Sequence, residues 1–152
     1  MSSNIGVMGH PIGHTKSPIF QQAGLNELGI DETFEAWDVL PEDLEDKVAT
    51  FREKGFIAAC VTLPHKQAVI PMVDELTEAA ESVGAVNWIF NRDGKLIGHN
   101  TDCNGFLRAL KEEAGFDPKG ADAVVFGAGG AARAIVYALK TAGGNRLTIA
   151  NR

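Results

Sequence analysis

From residue 123 to residue 141 the chain runs from an apolar stretch through Gly127-Ala128-Gly129-Gly130-Ala131-Ala132 into a segment of helical character. No other part of the sequence restricts the fold so narrowly. The spacing fits G-x-G-x-x-G/A at a strand-to-helix turn. The first glycine permits the tight turn, the second lets a phosphate approach the backbone, and the small sixth residue lets helix pack on strand. The helix N-terminus adds unbonded N–H groups and a partial positive charge. An ordinary glycine turn needs neither the strand before nor the helix after, so the context favours a dinucleotide site at Gly127, Ala128, Gly129, Gly130, Ala131 and Ala132. The next strand, 146–150, runs into Asn151-Arg152 with no acid to hold a ribose 2′-hydroxyl. Arginine there suits a 2′-phosphate, which favours NADP over NAD. NAD stays open, because an acid following Arg152 would reverse the argument.

Upstream, strands and helices alternate. Residues 4–8 read as a strand, followed by the turn-rich loop Gly9-His10-Pro11-Ile12-Gly13-His14-Thr15-Lys16. Residues 17–28 read as a helix with Ser17 as N-cap, Pro18 at the first helical position and Gly29 beyond its end. Alternating polarity predicts a strand over 33–39. Pro41 opens a helix with Leu44, Val48 and Phe51 on one face, and 56–61 is an apolar strand. A helix carrying His65 and Lys66 and interrupted by Pro71 is expected next, then a helix over 74–83. Apolar runs at 86–91 and 95–98 flank Asp93-Gly94, a hairpin signal. Asn100-Thr101-Asp102 precedes a helix to about residue 114, and 115–120 reads as a linker. This order predicts an α/β protein with a parallel-type sheet.

Three regions follow: an α/β domain over 1–101, a connecting helix and linker over 102–120, and one βαβ unit over 121–152. A lone βαβ unit cannot cover both faces of a parallel sheet. The expectation is therefore a chain cut at the start of a Rossmann-type domain. Association through that uncovered unit, for example as a homodimer, is the one protein contact it suggests.

Composition bears on partners. Asp plus Glu exceeds Lys plus Arg by 20 to 14, which argues against a general nucleic-acid binder. No apolar run approaches the ~18 residues of a membrane span, and Met1-Ser2-Ser3-Asn4 lacks the features of a signal peptide. Cys60 and Cys103 are too few for a disulfide scaffold and have no zinc-ligand spacing, so no metal site is expected and a reducing cytoplasm is. Glycine is in excess, at 17 of 152 residues, against a usual share of about 7%. Taken singly, Lys66 reads as a solvated lysine, Asp102 as a cap or first-turn acid, Asn87 as a polar strand residue, Ser17 as a cap, and His14 and His65 as surface or supporting residues.

Taken together, the segments resemble the shikimate dehydrogenases. Gly9 to Pro18 resembles their G-x-P-I-x-H-S-x-S-P opening, and Val61-Thr62-Leu63-Pro64-His65-Lys66 their V-T-x-P-[F/H]-K. Gly84-Ala85-Val86-Asn87 resembles G-A-V-N, and Gly98-His99-Asn100-Thr101-Asp102-Cys103-Asn104-Gly105 resembles G-x-N-T-D-x-x-G. The glycine loop through Arg133 and the Asn151-Arg152 pair match two further motifs. The resemblance implies an N-terminal α/β substrate-binding domain followed by the start of a Rossmann-type NADP-binding domain. It also implies NADP-dependent reduction of 3-dehydroshikimate to shikimate on the way to aromatic amino acids. Lys66 and Asp102 would be the catalytic pair. Thr15, Ser17, Thr62, Asn87 and Asp102 would hold the substrate, and the glycine loop with Asn151 and Arg152 the cofactor. The chemistry agrees: hydride addition to a ketone leaves an alkoxide that needs a proton donor and positive charge nearby.

Four departures bear on substrate preference: Thr15 for the commoner serine, Gln21 for histidine, Cys60 for asparagine and Trp88 for threonine. They keep quinate open as a substrate; a quinate/shikimate dehydrogenase using NAD turns on whether an acid follows Arg152, and the short second unit keeps open a substrate-binding module without turnover. The methylenetetrahydrofolate dehydrogenases share the two-domain plan but differ in the N-terminal motifs. Members of the resembled family continue past the position of Arg152 with the rest of the nucleotide domain and a returning helix. The 152 residues alone are therefore expected to keep weak shikimate binding and no useful turnover.

Overall fold

The computed structural model describes residues 4–152; residues 1–3, on which part of the signal-peptide reading rests, lie outside the described residues. Two apolar runs, IGVMG and AACV, become the parallel centre of a sheet: β1 (Ile5–Gly9) and β3 (Ala58–Val61). Helix α1 (Ser17–Glu27) leads from β1 to β2 (Phe34–Asp38). A 3-10 turn at Pro41–Asp43 then leads into α2 (Leu44–Thr50). Beyond β3 come a short β4 (Glu75–Leu76), α3 (Glu78–Val83), and the hairpin of β5 (Trp88–Arg92) and β6 (Lys95–His99). The strand order is β2-β1-β3-β5-β6-β4. Helix α4 (Asp102–Glu112) leaves this sheet for a second one, in which β7 (Ala123–Phe126) and β8 (Leu147–Ala150) run parallel, joined by α5 (Gly130–Thr141).

One face of the large sheet buries Met8, Val61 and Ile89 against Leu44, Val48 and Phe51, the three residues spaced for one helical face. The other face packs Ile5, Val7 and Ala58 against Leu25 of α1. Val83, Ala85 and Cys103 meet Ala134 and Ala138 of α5, which seats the βαβ unit against α3 and α4. Val125 of β7 is buried, while Val124 and Phe126 on the opposite face are 57% and 83% exposed.

Four local expectations change. The sheet is mixed, because Asp93 and Gly94 both take positive φ and fold β5 back antiparallel on β6. Residues 63–69 form successive turns and Ile70–Met72 a 3-10 turn. Pro71 lacks the N–H of a helical residue and its ring would strike the carbonyl one turn earlier. Residues 74–76 are drawn onto the sheet, because the Asp74 carboxylate accepts the Leu96 N–H and binds Arg52. The helix begins only after Thr77, whose hydroxyl accepts the Ala80 N–H. Ser17 is the first helical residue and Lys16 the cap; Thr15 Oγ1 accepts the Ser17 N–H at 3.2 Å.

Candidate active site

Parallel strands β1 and β3 end side by side, and open α/β sheets place ligands beyond such carboxyl ends. The two departing segments are stitched together: Thr62 N–H donates to Met8 O and His10 N–H to Leu63 O, both at 2.9 Å. Gly9 makes this closeness possible, since a Cβ there would lie 2.5 Å from the Thr62 methyl carbon. The chain leaving β3 then carries Thr62, His65 and Lys66 across the end of the sheet.

His65 is buried, not at the surface. Its Nε2–H donates to the Val39 carbonyl at 2.7 Å, anchoring the turn from beneath. One residue on, the Lys66 carbonyl accepts the Val86 N–H at 2.7 Å, and its side chain reaches the first turn of α4. Lys66 Nζ lies 2.6 Å from Asp102 Oδ2, with the two side chains 16% and 30% exposed. A charge-assisted hydrogen bond this short, partly withdrawn from water, is stronger than an open surface pair.

Asn87 completes the group. Its Nδ2 donates to Asp102 Oδ1 at 2.8 Å and to Thr101 Oγ1 at 2.9 Å, while its Oδ1 accepts the Thr101 N–H. The carboxylate is thus held by a cation on one oxygen and an amide on the other. Thr15 and Ser17 stand at the start of α1 on the same carboxyl edge, their hydroxyls 3.2 Å apart and bonded to each other. His14 is exposed. Asn100 and Thr101, which enter this network, were missed as individual residues. The one local signal was a polar run just ahead of a helix.

Both cysteines are free. Burial pushes the Cys60 thiol up to about 11; Lys66 opposes this and Asp102 adds to it, which puts the thiol within electrostatic reach of the pair. Cys103 is also raised, chiefly by burial and then by Asp102. Its Sγ–H donates to Ala134 O. Two neutral, separated thiols should show as a mass unchanged by reduction and slow alkylation at neutral pH. A Cys60–Cys103 bridge in non-reducing peptide mapping would contradict this.

Across from Lys66, Gly127 takes φ +106°, and its N–H donates to Ala150 O. The space where a Cβ would stand on Gly127 or on Gly129 is empty to 4 Å, so a pyrophosphate can approach the backbone at the head of α5. Gly130 is the opposite case: a Cβ there would lie 3.1 Å from both Cβ and Cδ of Lys66. The glycine loop therefore rests on the stem of the lysine. Asn151 and Arg152 flank an open cleft with Phe126, Gly127 and Ala150. Ala128 and Ala131 are exposed and Ala132 half-buried along the same loop and first turn. The donor set fits a dinucleotide phosphate chain. Among the described residues no cluster of His, Cys, Asp and Glu could hold a metal ion, and no helix is long and apolar enough to cross a membrane.

These features define a class: α/β proteins in which a mixed six-stranded sheet meets a βαβ unit with a glycine loop beside a lysine–carboxylate pair. The family described as the shikimate dehydrogenase substrate binding domain matches residues 7–89, and the chain belongs to it. The shikimate dehydrogenase (NADP(+)) of Methanopyrus kandleri is 47% identical over 148 residues, covering 97% of this chain and 51% of the relative. That of Moorella thermoacetica is 49% identical with similar coverage. The crystal structure of shikimate 5-dehydrogenase from Thermus thermophilus with NADP(H) and shikimate superposes with a TM-score of 0.89 at 38% identity, covering 97% of this chain and 55% of that one. The chain thus spans about half the length of the curated relatives it matches.

Proposed function

We propose that this chain provides the substrate site and the first cofactor contacts of an NADP-dependent shikimate dehydrogenase, which reduces 3-dehydroshikimate to shikimate. The observation that carries the reading is the Lys66–Asp102 pair, held by Asn87 at the carboxyl edge of the sheet and touched by the glycine loop. We assign 1–101 to the substrate domain, 102–120 to the connection and 121–152 to the nucleotide-binding unit. The two free thiols suit the cytoplasm.

When bound, the nicotinamide cofactor supplies the hydride. The chain's own residues have three tasks. Thr15, Ser17, Thr62, Asn87 and Asp102 bind the hydroxyls and carboxylate of the substrate. Asn87 has given both Nδ2 hydrogens to Thr101 and Asp102, so its remaining capacity is a lone pair on Oδ1. Lys66 places an ammonium where the carbonyl oxygen gains charge and gives that oxygen a proton, leaving the alcohol and a neutral amine. Asp102 orients the ammonium. The backbone N–H groups after Gly127 receive the pyrophosphate, and Asn151 and Arg152 the 2′-phosphate. A binding-only module has no need of the proton-donating pair, which favours the enzyme.

Joining this chain to the C-terminal half of the Methanopyrus kandleri relative should give NADPH oxidation that depends on 3-dehydroshikimate. A folded chimera that instead works only with NAD and quinate would overturn both the substrate and the cofactor assignment. Gly130→Ala tests the contact between loop and lysine. Its methyl group would press on two Lys66 carbons and should lower kcat of the chimera by about ten- to a hundredfold, since a ~1 Å misplacement of a reacting group is costly in rate. Gly105→Ala, with nothing within 4 Å, should leave turnover unchanged. Equal turnover in all three proteins would show that the loop leaves Lys66 alone.

A further inference from the structure

Two asparagines tie together the backbone segments that bring Asp102 to Lys66, and of the two Asn87 is the one bonded to the Asp102 carboxylate. Asn100 is fully buried and reaches the other way. Its Nδ2 donates to the Ala85 carbonyl at 2.9 Å, and its Oδ1 accepts the Asp102 N–H at 2.9 Å. The residue after Ala85 donates its own N–H to the Lys66 carbonyl at 2.7 Å. One side-chain amide therefore spans the backbone that fixes Lys66 and the backbone that carries Asp102.

We propose that Asn100 is a positioning residue, whose buried amide sets the Asp102 carboxylate against Lys66. The proposal rests on the reading of Lys66–Asp102 as the working pair. The chemistry of the position is restrictive. Asp102 N–H is among the first N–H groups of α4 and has no intrahelical acceptor. The Ala85 carbonyl points at the same spot and needs a donor. A side chain offering one acceptor and one donor at this reach is an asparagine amide. Aspartate would set an anion against the Ala85 carbonyl, and serine is too short to meet both groups. Thr101, the cap residue itself, makes no side-chain cap bond, so this N–H depends on Asn100.

The test separates this role from general support of the fold, and it needs no substrate. Arylation of the Lys66 amine by trinitrobenzenesulfonate, in which the amine displaces sulfite from the ring, is read by mass spectrometry on the folded chain and reports how firmly Asp102 holds the lysine. Asp102→Asn, which removes the anionic partner, should speed labelling by about tenfold, as loss of a hydrogen bond to a charged group implies. Asn100→Ser should speed it by roughly three- to tenfold. In the Asp102→Asn background, Asn100→Ser should add less than about twofold, because residues acting through one contact are not additive. The same acceleration in both backgrounds, or none in either, overturns the proposal. Asn100→Ala removes both amide contacts without burying a charge, is expected to speed labelling by the same roughly three- to tenfold, and serves if the serine variant does not fold. If neither folds, Asn100 supports the fold and not the pair, and the proposal falls. Shikimate titration of the unmodified chain is read separately. Its failure would count against the proposed function, while the labelling cycle would still decide the role of Asn100.

Discussion

Lys66→Ala, made in the chimera that carries a complete nucleotide domain, should lower kcat by about 10²- to 10⁴-fold, the usual contribution of a positioned general acid. KM for 3-dehydroshikimate should stay within a few-fold. An interaction made only as charge develops on the carbonyl oxygen affects turnover, not ground-state binding. The truncation leaves Asp102 without its cation, but that side chain is 30% exposed and keeps the Asn87 amide, so the fold should survive. Near-normal turnover in this variant would remove Lys66 from the chemistry. A large rise in KM with unchanged kcat would make it a binding residue.

Asp102→Asn should damage both parameters. Asparagine keeps the shape and can still accept from Asn87 through its oxygen, but it turns an NH2 group toward the Lys66 ammonium. Two donors then face each other where a 2.6 Å charge-assisted bond stood. Asp102 is also assigned a substrate hydroxyl, and a hydrogen bond to a charged partner is worth roughly 1.5–3 kcal/mol, so affinity for shikimate should fall by about tenfold or more. Turnover should fall further, because the ammonium loses its orientation as well. Loss of turnover with intact affinity would confine Asp102 to holding Lys66 and remove it from the substrate contacts.

Most of the secondary structure could be read from local chemistry. The Gly127 turn announced itself because a left-handed φ and an open backbone demand glycine. Asp93-Gly94 did the same for the β5–β6 hairpin, and Leu44, Val48 and Phe51 for the buried face of α2. The segment 63–76 could not be read in this way. Its helical residues are overruled by Pro71 and by distant partners: Val39 for His65, and Arg52 and Leu96 for Asp74. Those partners are remote in sequence, and single-residue propensities are silent about them.

The site divides along the same line. Lys66 and Asp102 are 36 positions apart, and nothing in their spacing links them; only the resemblance of whole motifs placed them in one group. Asn87 came in by the same route. Asn100 stood in a polar run and in the Gly98–Gly105 motif without a role of its own, because what distinguishes it is complete burial between Ala85 and Asp102. Gly130 was read as part of the phosphate loop, whereas its lack of a side chain also makes room for Lys66.

Shikimate recognition at the carboxyl edge of the larger sheet is tested directly by one titration. Amide ¹H–¹⁵N spectra of the 152-residue chain should show saturable shifts on adding shikimate, centred on Thr15, Ser17, Thr62, Lys66, Asn87 and Asp102. The Asp102→Asn chain should show them only at much higher ligand concentrations. A folded chain whose spectrum does not respond to shikimate, or responds only at the separate cleft between α4 and the linker that Leu107 and Phe116 line, would contradict this assignment.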